Sequence, residues 1–480
     1  MFRTSIVVAA LILPPTVAHA TNGMDLEGYG PIAAAMGGAS LAYDNGTAAM
    51  MNNPATLGLM EDSRLDLAFG VLSPHVSSTR PGSTKAKSSA DAFFMPAFGW
   101  VAKRGAFSYG FGVFSQGGMG THYTADSFIA QGSGQPASVK LGVGRALIPL
   151  VYEINSDLSL GVSADLVWAG MDLGMPLSGA QFGDMVAELG GPQTFGKAGG
   201  AMADTLVGAF TGGMLAKLNY ARFDFTNNNA FTNNAMGAGY AGKVGVVYRP
   251  TPRLAFGATY HSKTRLADLK TRDANMSMEV VLGAGMGGGT AVVPLSGKLS
   301  VVDFQWPQTA GVGTAFQATE NLLLAADYKW INWAAVMKDF HMVFTADKTQ
   351  ASPLATAFGM GGQSLDATVF QKWRDQHVVM LGAAYRISRP LTLRGGLNLA
   401  NNPVPDKYLN VLFPAIIRNH ATVGLGWAFG GGSSVDASFA YAPKSEAISG
   451  QGVASAHSQT NMQIMYSYRF MGAPTSRSRF

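Results

Sequence analysis

The residues best suited to chemistry in this sequence do not combine into a catalytic or metal site. Gly237-x-x-x-x-Gly242-Lys243 has the spacing of a phosphate-binding loop, but Val244 follows where a magnesium-binding Ser or Thr is required. The eight His residues are scattered without a His-x-x-x-His pair, and the absence of Cys removes thiolate ligands and nucleophiles. A Ser/His hydrolase is not excluded by spacing, but no feature favours it. The sequence therefore predicts no enzyme, no metal and no cofactor.

The composition of the chain limits the class of protein to which these residues belong. Of 480 residues, 13% are charged and 47% hydrophobic, whereas a soluble globular protein has about 25% charged residues. The 60 Gly residues show no Gly-X-Y period, and the apolar fraction excludes a disordered chain. The net charge of +5 is spread along the chain, so we expect no nucleic-acid partner.

The N-terminus has the pattern of a signal peptide over residues 1–20. Arg3 precedes an apolar run from Ser5 to Leu13, and Ala18-His19-Ala20 is a small-x-small cleavage site. The alternative is a buried N-terminal strand. After residue 20 no apolar run is long enough for a transmembrane helix, which needs about 20 residues.

Alternation with period two is the dominant pattern in the exported chain. Along Leu158–Trp168 the even positions are apolar and the odd positions include Ser159, Gly161, Ser163 and Asp165, as in a strand with one apolar face. Similar alternation occurs near 322–330, 391–398, 435–441 and 462–470. The predicted strands cover 64–73, 92–103, 105–116, 138–153, 157–172, 238–250, 252–267, 296–317, 321–345, 375–388, 391–402, 419–429, 433–446 and 459–470.

The connections between these strands alternate in length. Short links such as Asn155-Ser156-Asp157 and Gly430-Gly431-Gly432 alternate with long ones. The long ones are 74–91, 117–137, 173–237, 268–295, 346–374, 403–418 and 447–458. Short turns at one end and long loops at the other are typical of bacterial outer-membrane barrels. We predict an all-β, antiparallel transmembrane β-barrel of about 14 strands over 64–470, with both termini and a 471–480 tail in the periplasm. A secreted β-sandwich is the alternative.

Residues 21–63 do not alternate and precede the first strand. They contain Met36-Gly37-Gly38-Ala39, Asp44 and Asn53-Pro54-Ala55, and the segment resembles the N-terminal hatch of the FadL/TodX family of outer-membrane transporters. Further similarities are Trp306-Pro307, Asp327-Tyr328-Lys329-Trp330 and Asn402-Pro403-Val404-Pro405-Asp406. The resemblance implies a barrel closed by a hatch and passive uptake of long-chain fatty acids or related hydrophobic molecules. It also implies a lateral exit at a kink in the third strand, where Gly117 and Gly118 occur.

Two long connections carry apolar residues suited to capturing a hydrophobic ligand, since Met-rich surfaces adapt to ligands of varied shape. The candidates are Phe182, Met185, Leu189, Leu206, Phe210, Met214, Met278 and Val281. The alternative is that these residues pack against each other.

Other candidate ligand contacts lie inside the predicted barrel. The hatch residues Met36, Leu41, Met50, Met51 and Leu57 are candidates for an inner apolar pocket or for core packing of the hatch. Alternation points Lys329 and Arg394 inward, and Arg145 is a third candidate. They are suited to a carboxylate, or to pairing with acidic neighbours such as Asp327.

The predicted function is uptake of hydrophobic compounds, either fatty acids or aromatic hydrocarbons, by a monomer in contact with outer-membrane lipid and lipopolysaccharide. The alternative function is a general diffusion porin with a short plug.

Overall fold

The computed structural model describes residues 22–470 except 228, 230 and 231. The predicted signal peptide (1–20) and the predicted C-terminal tail (471–480) lie outside the described residues.

The described residues form 23 strands in one antiparallel sheet. The strands are β1 (Ser63–Thr79), β2 (Ala86–Lys87), β3 (Phe93–Arg104), β4 (Phe107–Tyr123), β5 (Ala137–Glu153), β6 (Leu158–Ser178), β7 (Gly196–Gly199), β8 (Leu215–Asp224), β9 (Ala235–Thr251), β10 (Leu254–His261), β11 (Arg265–Leu266), β12 (Leu269–Lys270), β13 (Ala274–Leu282), β14 (Thr290–Val302), β15 (Thr309–Gln317), β16 (Leu322–Ile331), β17 (Asp339–Ala346), β18 (Ser364–Phe370), β19 (Gln376–Arg386), β20 (Leu391–Ala400), β21 (Asn419–Gly430), β22 (Ser433–Ile448) and β23 (Ala454–Phe470).

The sheet closes on itself as a barrel. The ring runs in the order β1, β3, β4, β5, β6, β9, β10, β15, β16, β19, β20, β21, β22, β23, each paired with the next. β23 then pairs with β1 along its whole length, from Ser63 opposite Phe470 to Thr79 opposite Ala454. We call the end that holds Ser63 and Phe470 the turn end, and the end that carries the long connections the outer end.

The prediction of about 14 strands is too low for the sheet as a whole. The strands beyond that number lie in the long connections between ring strands. Two predicted strands, 296–317 and 321–345, are each divided in two. The first is interrupted at 303–308, where Asp303 has a φ of 51°, and the second by the helix Trp333–Val336. The alternation is in fact interrupted at both breaks, by Val301-Val302 and by the apolar run Trp333 to Met337, but the prediction did not use these signals.

The helices are short. The α-helices are α1 (Pro31–Ala35), α2 (Gly179–Met185), α3 (Ala201–Thr211), α4 (Trp333–Val336) and α5 (Pro353–Ala357). Short 3₁₀ helices occupy Gly46–Met50, Pro54–Leu59, Phe128–Ala130, Ala187–Leu189, Ala284–Met286 and Asp406–Tyr408. In the described part of the chain no helix is long and apolar enough to cross a membrane.

The long connections build a second layer at the outer end. β8 pairs with the last residues of β6, and the pairing continues through β13, β14, β17, β18 and β7. We call these strands the outer sheet. Helix α3 packs on β7, β8 and β18, and α5 contacts β14.

The ring is apolar on its outer surface and polar on its inner surface. In β6, Leu160, Val162 and Leu166 are exposed, with 64% of Leu166 accessible, while Ser163 and Asp165 are buried. This confirms the predicted alternation in β6. An outward apolar face with an inward polar face is the arrangement of a barrel in lipid.

The N-terminal segment, residues 22–62, lies inside the ring. Almost all of its residues are buried, and its bonds reach strands on opposite sides of the barrel. Gly37 N donates to Thr422 Oγ1 of β21 at 2.9 Å, and Ser40 N donates to Asp327 of β16 at 2.6 Å. Asn53 donates to the carbonyl of Val246 in β9. The segment therefore fills the lumen at this level.

Candidate functional site

An apolar cavity of about 150 Å³ lies between the N-terminal segment and the barrel wall. We call it the inner cavity. Five ring strands contribute to it, namely β1, β3, β4, β5 and β23. Its lining consists of Gly23, Met24, Asp25, Leu26, Leu72, Pro74, Val76, Phe93, Phe94, Met95, Ser115, Gly117, Gly118, Met119, Gly120, Thr121, Leu141, Gly142, Val143, Pro414, His457 and Gln459.

The barrel wall is interrupted beside this cavity. Backbone pairing between β3 and β4 ends at Phe98 opposite Val113. Beyond that pair, 93–97 of β3 and 114–123 of β4 continue without pairing to each other. Side chains occupy the space instead, since a Cβ on Gly120 would lie 2.3 Å from the ring of Phe93. We call this interruption the wall break.

A bulge in β4 brings the N-terminal segment to the wall break. The register of β4 against β5 shifts between Ser115 and Gly117, and Gly118 N donates to Met24 O at 3.1 Å. A Cβ on Gly117 would lie 2.2 Å from Met24 O. Glycine is therefore required at position 117 because the two backbones approach so closely.

Asp25 anchors the N-terminal segment at this point. Its Oδ1 accepts hydrogen bonds from Tyr29 OH at 2.6 Å and from Gln116 Nε2 at 2.8 Å. Its Oδ2 accepts a hydrogen bond from Lys329 Nζ of β16 at 3.0 Å. Asp25 is 3% exposed, so this buried carboxylate ties the bulge of β4 to the opposite wall.

The family model described as "outer membrane protein transport protein (OMPP1/FadL/TodX)" matches residues 14–470. The chain belongs to this family. The resemblance to FadL/TodX proteins is thus confirmed, and with it the assignment to a family of outer-membrane transport proteins.

Solved structures of FadL/TodX relatives share this fold. The toluene transporter TodX of Pseudomonas putida is 28% identical, with a TM-score of 0.77 over 94% of this chain and 100% of that one. The toluene transporter TbuX of Ralstonia pickettii is 29% identical, with a TM-score of 0.71 over 93% and 99%. A curated relative, an uncharacterized protein of Chlorobium limicola from the 5′ region of the phosphoenolpyruvate carboxykinase gene, is 48% identical over 82 residues. That match spans 17% of this chain and only 40% of the relative.

The three cationic residues predicted for this FadL/TodX barrel all have acidic partners. Arg145 Nη1 lies 2.8 Å from Asp165 Oδ2, and Arg394 Nη1 lies 2.7 Å from Asp436 Oδ1. Lys329 pairs with Asp25. None of the three lines the inner cavity. The acid named in the prediction, Asp327, instead accepts backbone hydrogen bonds from the N-terminal segment.

The predicted hatch contacts are packed against the ring. Met36, Leu41, Met50, Met51 and Leu57 are all buried. Three of them share a cluster with barrel residues, and that cluster includes Met50, Met51, Leu57, Val101, Phe114, Leu147 and Val151. None of the five lines the inner cavity, and their contact with a ligand stays a prediction.

The Asn53-Pro54-Ala55 motif docks the N-terminal segment on two strands. Asn53 Oδ1 accepts from Ala55 N at 3.1 Å and so caps the 3₁₀ turn that Pro54 begins. Asn53 Nδ2 donates to Leu41 O at 2.8 Å. Gly161 and Gly245 of the barrel face this motif, and a Cβ on either would lie within 2.5 Å of it. The motif therefore fixes the position of the segment in the lumen.

The apolar residues predicted to capture ligand lie in and around the outer sheet. Most are covered, since Phe182, Met185, Leu206 and Met278 are buried and Leu189, Phe210 and Val281 are half-buried. Met214 is 39% exposed. The four buried residues belong to the hydrophobic core, and Leu189 and Phe210 pack against it, as in the alternative interpretation of the pattern. A capture role for them stays a prediction.

The residues that line the inner cavity were largely missed by the sequence analysis. Only Gly117 and Gly118 were named in advance, whereas the aromatic and Met lining was not. One signal was present, because Phe93-Phe94-Met95 is apolar at three successive positions and breaks the period of two. Such a run places apolar side chains on both faces of β3.

Proposed function

We propose that this protein mediates passive uptake of small hydrophobic compounds through the outer membrane, with single-ring aromatic hydrocarbons as the substrates that fit best. It acts as a transporter without a catalytic step. The observation that carries the proposal is the inner cavity, enclosed by the N-terminal segment, the β4 bulge and the wall break. Similarity to TodX and TbuX over nearly the whole chain supports the same substrate class.

The size and lining of the cavity favour an aromatic ring. An apolar cavity of about 150 Å³ holds a molecule the size of benzene. Phe93 and Met119 contribute an aromatic ring and a thioether to this lining. The sulfur of a thioether contacts an aromatic ring favourably, so the lining suits a ligand with such a ring. A long-chain fatty acid is the weaker candidate, because the three predicted cationic partners for its carboxylate are already paired with acids.

The proposed exit is lateral, through the wall break into the lipid. No β3–β4 backbone hydrogen bond has to be broken there, so movement of side chains such as Phe93 is sufficient. The N-terminal segment blocks the axial route and acts as the hatch. A hydrophobic ligand that leaves sideways passes from the apolar cavity to hydrocarbon without entering water, which is favourable.

The proposed orientation follows from the ring. Ser63 and Phe470 lie at the turn end, which we assign to the periplasm with both termini and the 471–480 tail. The protein is proposed to act as a monomer in contact with outer-membrane lipid and lipopolysaccharide. A general diffusion porin is less compatible with a lumen filled by buried residues such as Met36 and Met50.

Uptake measurements test the proposal. Cells that lack this protein should take up labelled toluene several-fold more slowly than cells that carry it, with a smaller difference for oleate and none for a small sugar. Loss of sugar entry without loss of toluene or oleate entry would instead identify a porin.

A further inference from the structure

A shallow groove of about 450 Å³ lies on the apolar outer surface of the barrel, across the ring strands β9, β10, β15 and β16. We call it the surface groove. It lies on a different part of the wall from the wall break, since β5 and β6 separate β4 from β9 in the ring. None of its lining residues lines the inner cavity, so the transport route proposed above does not account for it.

Two small side chains form the floor of the surface groove. Ala258 of β10 and Ala310 of β15 are half-buried, and each lies between larger side chains on the two neighbouring strands. These cross-strand neighbours are Val246 and Val312 for the first alanine, and Tyr260 and Trp330 for the second. A depression with methyl groups on its floor and rings at its sides suits an acyl chain, which gains by apolar contact.

The aromatic side chains of the groove mark its polar end. Tyr260 OH donates to Gln308 Oε1 at 3.0 Å, and Trp330 Nε1 donates to Asp375 Oδ2 at 3.0 Å. Both acceptors lie just beyond the outer ends of ring strands. Aromatic residues with an apolar body and a polar tip are typical of the boundary between hydrocarbon and water. The outer end of the surface groove is therefore the level at which acyl chains meet their head groups.

Exposed cations follow directly beyond this boundary. Lys263 and Arg265 come after the outer end of β10, and both are exposed. Arg265 lies opposite Tyr240 of β9, with its Cζ 6.0 Å from the centroid of that ring. Tyr240 is four residues outward from Val244, which lines the groove, and four residues of a strand span about 13 Å. A guanidinium at this level suits the phosphate of a lipid whose acyl chain occupies the groove.

Two further cations extend the same face outward. Lys270 lies opposite Met236 in the pairing of β12 with β9. Met236 is four residues beyond Tyr240, or about 13 Å along the strand. Lys298 is two residues from the partner of Lys270 on β14, and both lysines are exposed. The cations therefore lie at two levels above the groove.

The charge of this region is positive on balance. The stretches 263–273 and 298–303 hold five Lys or Arg and three Asp, which leaves a net charge of +2. Among the described residues, these five cations form no ion pair. The three carboxylates accept hydrogen bonds from neighbouring amides. The cations are thus available to an external anion.

We propose that this surface binds lipopolysaccharide, a phosphorylated glycolipid, with an acyl chain in the surface groove and phosphates at the cations. A phospholipid carries a phosphate at a single level next to its acyl chains. Lipopolysaccharide carries phosphates on its lipid anchor and also on sugars that extend outward, which matches two levels of cations. The inference rests on the outer-membrane location and orientation in the proposed function, and it adds the binding site of one partner. A glycolipid held here leaves the wall break open as an exit.

Two arginines at opposite ends of β10 test the charge contacts. Arg265 follows the outer end of this strand, Arg253 precedes its turn end, and both are exposed. Native mass spectrometry of the purified full chain with added lipopolysaccharide gives the dissociation constant. Arg265→Gln should raise this constant about fivefold, and the matched Arg253→Gln should leave it unchanged. Equal effects would overturn the site, and weakening by Arg253→Gln alone would overturn the proposed orientation as well.

The two levels of cations distinguish lipopolysaccharide from a simpler lipid. Lys270→Gln should weaken binding of lipopolysaccharide with core phosphates but not binding of its lipid anchor alone, whereas Arg265→Gln should weaken both. No effect of Lys270→Gln on either ligand would contradict the proposed placement of the glycolipid. If phosphatidylglycerol binds as tightly as lipopolysaccharide and is weakened equally by Arg265→Gln, the surface is a phospholipid site and the proposal is wrong.

Filling the surface groove tests the acyl-chain contact. Ala258→Phe places a ring on the floor of the groove and should weaken lipopolysaccharide binding several-fold. Ala421→Phe is the matched control, because Ala421 is exposed on β21 and does not line the groove. The same dissociation constant for both variants would exclude the groove from the site. Arg265→Gln changes only an exposed side chain, so it keeps the proposal testable if Ala258→Phe does not insert into the membrane.

The outcomes separate this inference from the proposed function. If lipopolysaccharide binding is the same in all variants while cells that carry the protein take up toluene faster than cells without it, only the glycolipid site fails. If the variants weaken lipopolysaccharide binding as expected but toluene uptake does not depend on the protein, the proposed transport function fails and the glycolipid site is retained.

Discussion

Lys329 and Asp25 form an ion pair between the barrel wall and the N-terminal segment, with Nζ 3.0 Å from Oδ2. Both side chains are largely buried, at 17% and 3% exposure. Asp25→Asn leaves Lys329 without its counter-charge, so we expect the barrel to lose about 1–3 kcal/mol of stability. The measurement is denaturant unfolding of the protein in lipid bilayers. Because Lys329 retains some access to solvent, the loss should be smaller than for a fully buried pair.

The control is an exposed ion pair of the same chain. Lys444 and Glu446 are paired with side chains 58% and 64% exposed. Glu446→Gln should change stability by no more than about 0.5 kcal/mol. A similar effect from both variants would show that Asp25 has no special part in anchoring the segment.

The close approach of Gly117 to Met24 predicts that position 117 tolerates no side chain. Gly117→Ala places a Cβ against Met24 O, and such overpacking costs about 1–3 kcal/mol. Because Met24 lines the inner cavity, toluene uptake should also fall several-fold. Gly395→Ala is the matched control, since its nearest contact would be 3.7 Å away. Wild-type stability and uptake in Gly117→Ala would contradict the described bulge geometry.

The sequence predicted those parts of the fold that depend on local spacing. The alternation in β6 and the short turn at 155–157 are both visible within a few residues, because strand faces repeat every two residues. The extra strands were not predictable in this way. The alternation is interrupted at both breaks, near Trp306 and Trp333, but an interruption does not tell which strand the following residues pair with.

The site was harder to predict because it is made by contacts distant in sequence. Lys329 was expected to point inward, but its partner Asp25 is 304 residues away, and no spacing rule connects them. The inner cavity draws on five strands and the N-terminal segment. Gly117 and Gly118 were named because the resemblance to the FadL/TodX family implies a kink in this strand, where glycines permit a bulge. The wall break depends on where pairing with β3 ends, which no local pattern shows.

Asp184 makes the connection that follows β6 sensitive to acid. Burial raises the pKa of Asp184, but hydrogen bonds from Phe195 N and from Thr194 outweigh burial and leave the pKa below its usual value. The stabilisation is therefore present above about pH 3.9 and is lost as the pH falls through the lowered pKa of the folded state. Pepsin should cleave this connection faster at pH 2 than at pH 5, after correction with an unstructured reference peptide. In Asp184→Asn, cleavage should be fast at both pH values, and a wild-type pH profile in this variant would exclude Asp184 as the cause.

The N-terminal segment closes the lumen, so its removal should open a pore. The ring is closed by its own pairing, including β1 with β23 along 17 residue pairs, and does not need residues 22–60 for closure. Its inward face carries Arg145, Asp165 and Lys243, and water and ions would fill the space once the segment is deleted. In planar bilayers we expect large, discrete steps of ionic current from the deletion variant and none from the full chain. Glu446→Gln in the full chain is the control, and it should produce no current steps. Conductance unchanged by the deletion would mean that the segment is not the barrier to ions, and the assignment of a hatch would then fail even if toluene uptake were intact.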